Sequence, residues 1–141
     1  MSIRAKVIRK RAAKNAVLAK YDRKTKQIVK LGGNLVRNTA VQSIHQHGSS
    51  GRTYEKYNPR RTHTASSAGN PPNSDTGYLA NNIHVVIDAD EFGSSVESRA
   101  EYSEAQEFGT SKMEARPFLQ PALEENRRKI IRMFARLRGA I

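Results

Sequence analysis

The chain has 141 residues, of which 37% are hydrophobic and 6% aromatic, and its formal net charge is +12. That length fits one domain with a small core, and the scarcity of apolar surface leaves partners to complete the structure. Cysteine is absent, which excludes disulfides, thiolate metal sites and cysteine nucleophiles, and no run approaches the roughly 18 apolar residues of a membrane span.

The first ten residues read as a basic arm that orders only against a partner. They interleave cations with small apolar groups. No apolar core or cleavage site follows, so no signal peptide is expected; a mitochondrial-type presequence matches only in being basic and free of acids. Residues 11–45 read as a long helix, with Val17, Tyr21, Ile28, Leu31 and Leu35 at helical spacings and Val41 and Ile44 extending the run less regularly. Gly32-Gly33 interrupts it at a cost of roughly 2 kcal/mol relative to alanine. The pair marks a kink, a break, or a close approach by another backbone.

Residues 46–77 turn rich in Gly, Ser, Asn, Thr and Pro. A loop of this length is functional or disordered in most domains. Arg52-Thr53-Tyr54 and Thr62-His63-Thr64 flank Tyr57-Asn58-Pro59, which predicts a projecting β-hairpin. Asn70-Pro71-Pro72 then enforces an extended path.

Residues 78–141 read as a sheet plus a C-terminal helix. Asp75-Thr76-Gly77 forms a turn that caps a short helix at Tyr78–Asn82. Ile83, Val85 and Ile87 alternate with His84, Val86 and Asp88, so one face is apolar. Asp90-Glu91-Phe92-Gly93 is a turn, and Ser94–Ala100 a second antiparallel strand. Glu101–Phe108 makes one or two helical turns, ended by Gly109. In the last helix Leu119, Leu123, Ile130, Phe134, Leu137 and Ile141 share a face, with Glu124 and Glu125 early and Arg132, Arg136 and Arg138 late, an order that complements the helix dipole. The expected fold is α+β: a long N-terminal helix and a C-terminal helix packed on a small antiparallel sheet, with a projecting hairpin loop.

Charge is segregated along the chain. Residues 1–40 hold twelve Lys/Arg and one acid, residues 75–115 two basic and nine acidic residues, and residues 116–141 seven basic and two acidic. Such a pattern suits subunits that set the basic part of one copy against the acidic part of the next. It suits phosphate contact equally.

Little in the chain promises chemistry. His45-x-His47 has a spacing that suits a metal on a strand, but it sits where a helix meets a Gly/Ser loop with no acid nearby. Ser103, Thr110 and Ser111 have no evident His/Asp partners, no nucleophile elbow is present, and Gly48 and Gly51 lack the lysine and strand of a phosphate loop. The carboxylates from Asp88 to Glu107 read as a solvated or interface-facing surface. Tyr54 and Tyr57 among Arg52, Lys56, Arg60 and Arg61 suit either stacking on bases or, preferably, covering a neighbouring subunit. No groove-reading motif accompanies the basic helix. No catalytic residue, metal or cofactor is assigned.

Three segments, in order, resemble a widespread family of small tailed-phage proteins, the minor tail, tail-completion, neck or head–tail connector proteins. They are Ala65–Pro72 leading into Asp75-Thr76-Gly77-Tyr78-Leu79; Tyr102–Thr110, ending Glu107-Phe108-Gly109-Thr110; and Ala115–Leu123, containing Pro117-Phe118-Leu119-Gln120-Pro121. The resemblance covers residues 48–141, with the N-terminal helix matched in character only. Ser103 stands where the family usually has alanine, and the first forty residues are more basic than is usual there.

Each motif reads as a structural device. Asp75 accepts N–H bonds at the short helix, Gly77 and Gly109 take positive φ or permit close approach, and Phe108 and Phe118 anchor the core beside a half-buried Tyr102. Pro117 and Pro121 set the approach of the last helix. The resemblance implies a non-enzymatic virion protein, made in the bacterial cytoplasm and placed at the head–tail junction. It implies a ring of this chain, six copies favoured over twelve, with neighbours on the portal or adaptor side and on the tail-terminator or tail-tube side. DNA would pass through the lumen without sequence-specific binding, and no membrane is involved. The expected contacts are Lys24, Lys26, Lys30, Arg52, Tyr54, Tyr57, Arg60 and Arg61 against Glu97, Glu101 and Glu104. The second reading is a basic nucleic-acid-binding protein that uses the N-terminal helix and the 52–61 loop.

Overall fold

The computed structural model describes residues 3–8, 16–46, 51–57 and 59–139. Its order is β1 (Ile3–Ile8), α1 (Ala16–Gln46), β2 (Thr53–Tyr57), β3 (Arg60–Thr64), α2 (Tyr78–Asn81), β4 (Ile83–Ile87), β5 (Gly93–Ser98), α3 (Ser103–Phe108) and α4 (Leu119–Gly139). Two long helices and two small antiparallel sheets make an α+β fold.

The main sheet has the order β1-β5-β4. The turn between β4 and β5 closes with Asp88 N–H donating to the Gly93 carbonyl at 2.8 Å. Glu91 takes positive φ within that turn, and Asp90 Oδ1 accepts the Phe92 N–H at 2.9 Å. Strand β5 is the centre of the sheet, and all six of its residues are buried. Three of those six are serines, and their small size lets α1 lie close: Ser94 Oγ donates to the Val29 carbonyl at 3.0 Å.

Strand β1 corrects the expectation of an arm awaiting a partner. Ile3–Ile8 pairs antiparallel with β5, Arg4 opposite Glu97 and Ala5 opposite Val96. The alternation Ile3-Arg4-Ala5-Lys6-Val7 is a strand pattern, and its cations find carboxylates on the same chain: Arg4 reaches Glu97 at 3.1 Å and Lys6 reaches Asp88 at 3.5 Å.

Helix α1 runs unbroken through Gly32-Gly33. The helix neither kinks nor breaks there, and the close approach at Gly33 is made by side chains rather than by another backbone. A Cβ on Gly33 would stand 2.8 Å from Val85 Cγ1 and 2.9 Å from Ser94 Oγ, while one on Gly32 would meet Ile130 at an ordinary 3.4 Å. The buried stripe of α1 is Thr25, Val29, Val36, Ala40 and Ile44. Of the residues picked out by spacing, Ile44 belongs to this stripe and Val41 packs against the core, whereas Ile28 and Leu35 are half-buried beside it and Leu31 is 54% exposed.

Helix α4 runs antiparallel to α1. Asn126 Nδ2 donates to Thr39 Oγ1 at 2.8 Å, Ile130 covers Gly32, and Met133 and Leu137 come level with Ile28 and Lys24. Phe118, Leu119, Ala122 and Ile130 join Val36, Ala40, Ile44, Leu79, Ile83 and Val96 in one core.

Candidate assembly interface

One end of the α1–α4 pair carries all three motif segments. Here Glu107 is buried at 4% exposure and accepts N–H bonds from Phe118 at 2.8 Å, Leu119 at 3.0 Å and Gln120 at 2.8 Å. These are the first donors of α4, which have no partner within the helix. The next residue, Pro121, has no N–H to satisfy. The second and third motifs are therefore two halves of one clasp. Gly109 makes it possible: at φ 74° it turns where a Cβ would sit 2.8 Å from Met113 O and Ala115 N. Thr110 and Met113 form a bridge behind it, and Arg116 N–H donates to the Gln106 carbonyl at 2.6 Å. Spacing alone hid this role, because the donors lie 11–13 residues beyond the carboxylate.

The first motif makes a different bond from the one expected. Asp75 does not cap α2: its N-cap is Gly77, at φ 78°, with no side-chain cap bond, and Thr76 Oγ1 accepts the Tyr78 N–H at 3.3 Å. Asp75 instead receives the hairpin. Lys56 donates to it, Arg61 lies at 3.3 Å and His63 Nδ1 at 3.7 Å. The Lys56 hydrogen bond first, then the nearby His63 and Arg61, outweigh desolvation and hold the Asp75 carboxyl below the usual aspartate range. Lys56 and Arg61 face each other in the β2–β3 register, so one carboxylate grips both strands. Leu79 beside this turn is buried.

Phe108 also departs from expectation. It is 67% exposed rather than a core anchor, and only Phe118, at 0%, fills that role. Glu107 turns inward to reach α4, which leaves its neighbour facing out. Tyr102 is 44% exposed and tilts against Tyr78, with ring centroids 6.1 Å apart. Burial first, and then Tyr78 and Asp75, push its phenol above the usual value. Pro117 is half-buried and Pro121 exposed. A cleft of about 460 Å³ lies among Ile44, His63, Asp75, Tyr78, Tyr102 and Gln106. Ser103 is buried and donates to the Ala100 carbonyl at 2.7 Å.

The acidic contacts named from sequence divide. Glu97 is 6% exposed and held by Arg4 and Arg99, each at 3.1 Å. Burial raises its pKa, the two arginine hydrogen bonds lower it, and the net shift is downward. Glu101 is exposed and Glu104 half-buried, and neither forms an ion pair among the described residues.

The basic contacts divide as well. Lys26 and Lys30 meet Glu91 at 3.3 Å and 2.7 Å. Their hydrogen bonds, Lys30 first, hold Glu91 below the usual range. Lys26 also lies 5.3 Å above the Phe92 ring. Lys24 is exposed beside a groove of about 330 Å³ that Ile28, Leu31, Met133 and Arg136 share. On the hairpin, Arg52, Tyr54 and Arg60 are exposed, and Tyr57, 73% exposed, donates to Glu55 at 2.8 Å.

His47 and Asn58 lie outside the described residues, as does Ile141. Among the described residues no three His, Asp or Glu side chains converge on a metal-sized site, and no helix is long and apolar enough to cross a membrane. Compared with protein-family models, curated proteins and solved structures, the chain matches none of them.

Proposed function

We propose that this chain is a structural subunit of a tailed-phage virion that assembles head to tail into a ring at the neck, where the tail is completed and joined to the head. The observation that carries this reading is the placement of the three family-like segments. All three fall on devices that shape one end of the molecule. Glu107 fixes the start of α4, Gly109 turns the chain, and Asp75 holds the hairpin. Subunits whose two ends differ join heterologously, and they close into a ring when the rotation permits.

The nucleic-acid reading ranks second for a physical reason. Lys26, Lys30, Lys56 and Arg61, four of the cations it relies on, already face carboxylates of the same chain. A paired cation contributes less to the counterion release that drives phosphate binding.

The test is light scattering with negative-stain imaging of the purified chain. Six copies of the 15.8 kDa subunit would make a particle of about 95 kDa with a central hole. A monodisperse monomer at all attainable concentrations would contradict the ring. A steep salt-dependent affinity of that monomer for duplex DNA would favour the second reading.

A further inference from the structure

The exposed Phe108 and the groove between α1 and α4 lie at opposite ends of the helix pair. Helix α3 borders the C-terminal end of α1, since Gln106 and Tyr102 share a cleft with Ile44, and Glu107 holds the first residues of α4. The groove lies at the other end, among Lys24, Ile28, Leu31, Met133, Arg136 and Leu137. From Ile44 back to Leu31 the helix rises about 20 Å.

The two ends complement each other in shape and charge. Phe108, 67% exposed, projects an apolar ring. Around it in the chain, Glu101, Glu104 and Glu114 have no ion-pair partner among the described residues. The groove has an apolar floor in Ile28, Leu31 and Met133, and Leu31 is 54% exposed. Its rim is cationic: Lys24 and Arg136, with Arg132 nearby on α4, likewise lack ion-pair partners among the described residues. A volume of about 330 Å³ accommodates a phenyl ring, since a cavity of about 150 Å³ holds benzene.

We infer that the groove is occupied by Phe108 of a second copy of this chain, with Glu101 and Glu104 of that copy set against the Lys24 and Arg136 rim. This rests on the ring reading and supplies its contact. A knob at one end and a hole at the other leave each docked copy with a free knob and a free hole, so assembly propagates until it closes.

The chain contains no cysteine, which makes the contact directly testable. Phe108→Cys and Leu31→Cys both replace exposed side chains, and unchanged circular dichroism will verify that each variant folds. Mixed and oxidised at a concentration far enough above that at which the native chain associates to offset the weakening caused by losing the Phe108 ring, the two should form a disulfide-linked heterodimer, and the double variant a ladder of multimers. Each alone should stay largely uncoupled, because a disulfide needs Cα atoms within about 7 Å. The substitution Phe108→Ser should weaken association of the otherwise native chain by about tenfold or more, as for a buried interface anchor. Failure of the 31–108 bond to form, or equal coupling of either variant to itself, overturns the contact. Light scattering of the native chain separates this from the ring reading. Particles without the bond leave the ring standing and remove this contact; the bond without particles keeps the contact and removes the ring; neither removes both.

Discussion

The carboxylate of Glu107 accepts all three N–H groups that open α4, and the fourth position is Pro121. Hydrogen bonds to a charged group contribute roughly 1.5–3 kcal/mol each. Glu107→Ala strands those donors in a largely buried place, so a loss of about 3–5 kcal/mol is expected, a large part of the total of about 5–15 kcal/mol for a domain. Glu107→Gln keeps one acceptor oxygen and should fall between. Urea unfolding of the two variants will measure this, and a loss below about 1 kcal/mol for alanine would contradict the clasp. The two helical glycines should give opposite signs. At Gly32 an added methyl meets Ile130 at 3.4 Å, so Gly32→Ala should stabilise by up to about 1 kcal/mol through helix propensity. At Gly33 the same methyl meets Val85 at 2.8 Å and Ser94 at 2.9 Å. Overpacking there costs about 1–3 kcal/mol, more than propensity returns, and thermal melting of the pair will show which term wins.

The β2–β3 hairpin is a two-stranded sheet with most of its residues exposed, and an isolated pair of strands is marginal in water. It is held by Asp75, with Lys56, Arg61 and His63 around one carboxylate, and by Asn73, whose Nδ2 donates to the Thr64 carbonyl at 2.6 Å. Because the folded Asp75 titrates below its unfolded value, the stabilisation is present above the unfolded pKa and is lost as pH falls through the folded one. Amide shifts of residues 53–64 should therefore move as pH falls below the ordinary aspartate value of about 3.9, and Asp75→Asn should abolish that step.

At this scale the limits of sequence reading have physical causes. Helices α1 and α4, the hairpin and the β4–β5 pair are encoded locally, in periodicity and turn residues, and were legible. Strand β1 was not, because Arg4 and Lys6 look like a solvated arm until Glu97 and Asp88, more than eighty residues away, are placed beside them. The roles of Asp75 and Phe108 escape the sequence for the same reason. Each depends on where another element turns, and residue type records only the capacity to cap or to be buried. Apolar spacing groups the half-buried Ile28 and the exposed Leu31 with the buried Ile44, because it does not say which of two adjacent stripes the sheet will cover.

For the whole molecule, net charge and charge pattern oppose each other. Two copies of charge +12 with centres about 30 Å apart repel by roughly 20 kcal/mol in unscreened water. Local attraction between the Glu101–Glu104 end and the Lys24–Arg136 groove acts only near contact. Salt separates the two by range. At about 0.01 M the Debye length of about 30 Å leaves the repulsion intact; at about 0.1 M, with about 10 Å, the repulsion fades while pairs in contact still attract; at about 1 M, with about 3 Å, those pairs are screened too. Association of the purified chain, followed by stopped-flow light scattering, should therefore be fastest near about 0.1 M salt and slower on both sides. Dissociation should change little above that point, because the contact of Phe108 with Leu31 is apolar and is not screened. A rate that only rises with salt would mean that the charged ends do not meet at the contact. One that only falls would mean that attraction already governs the long-range encounter, and that net repulsion counts for little.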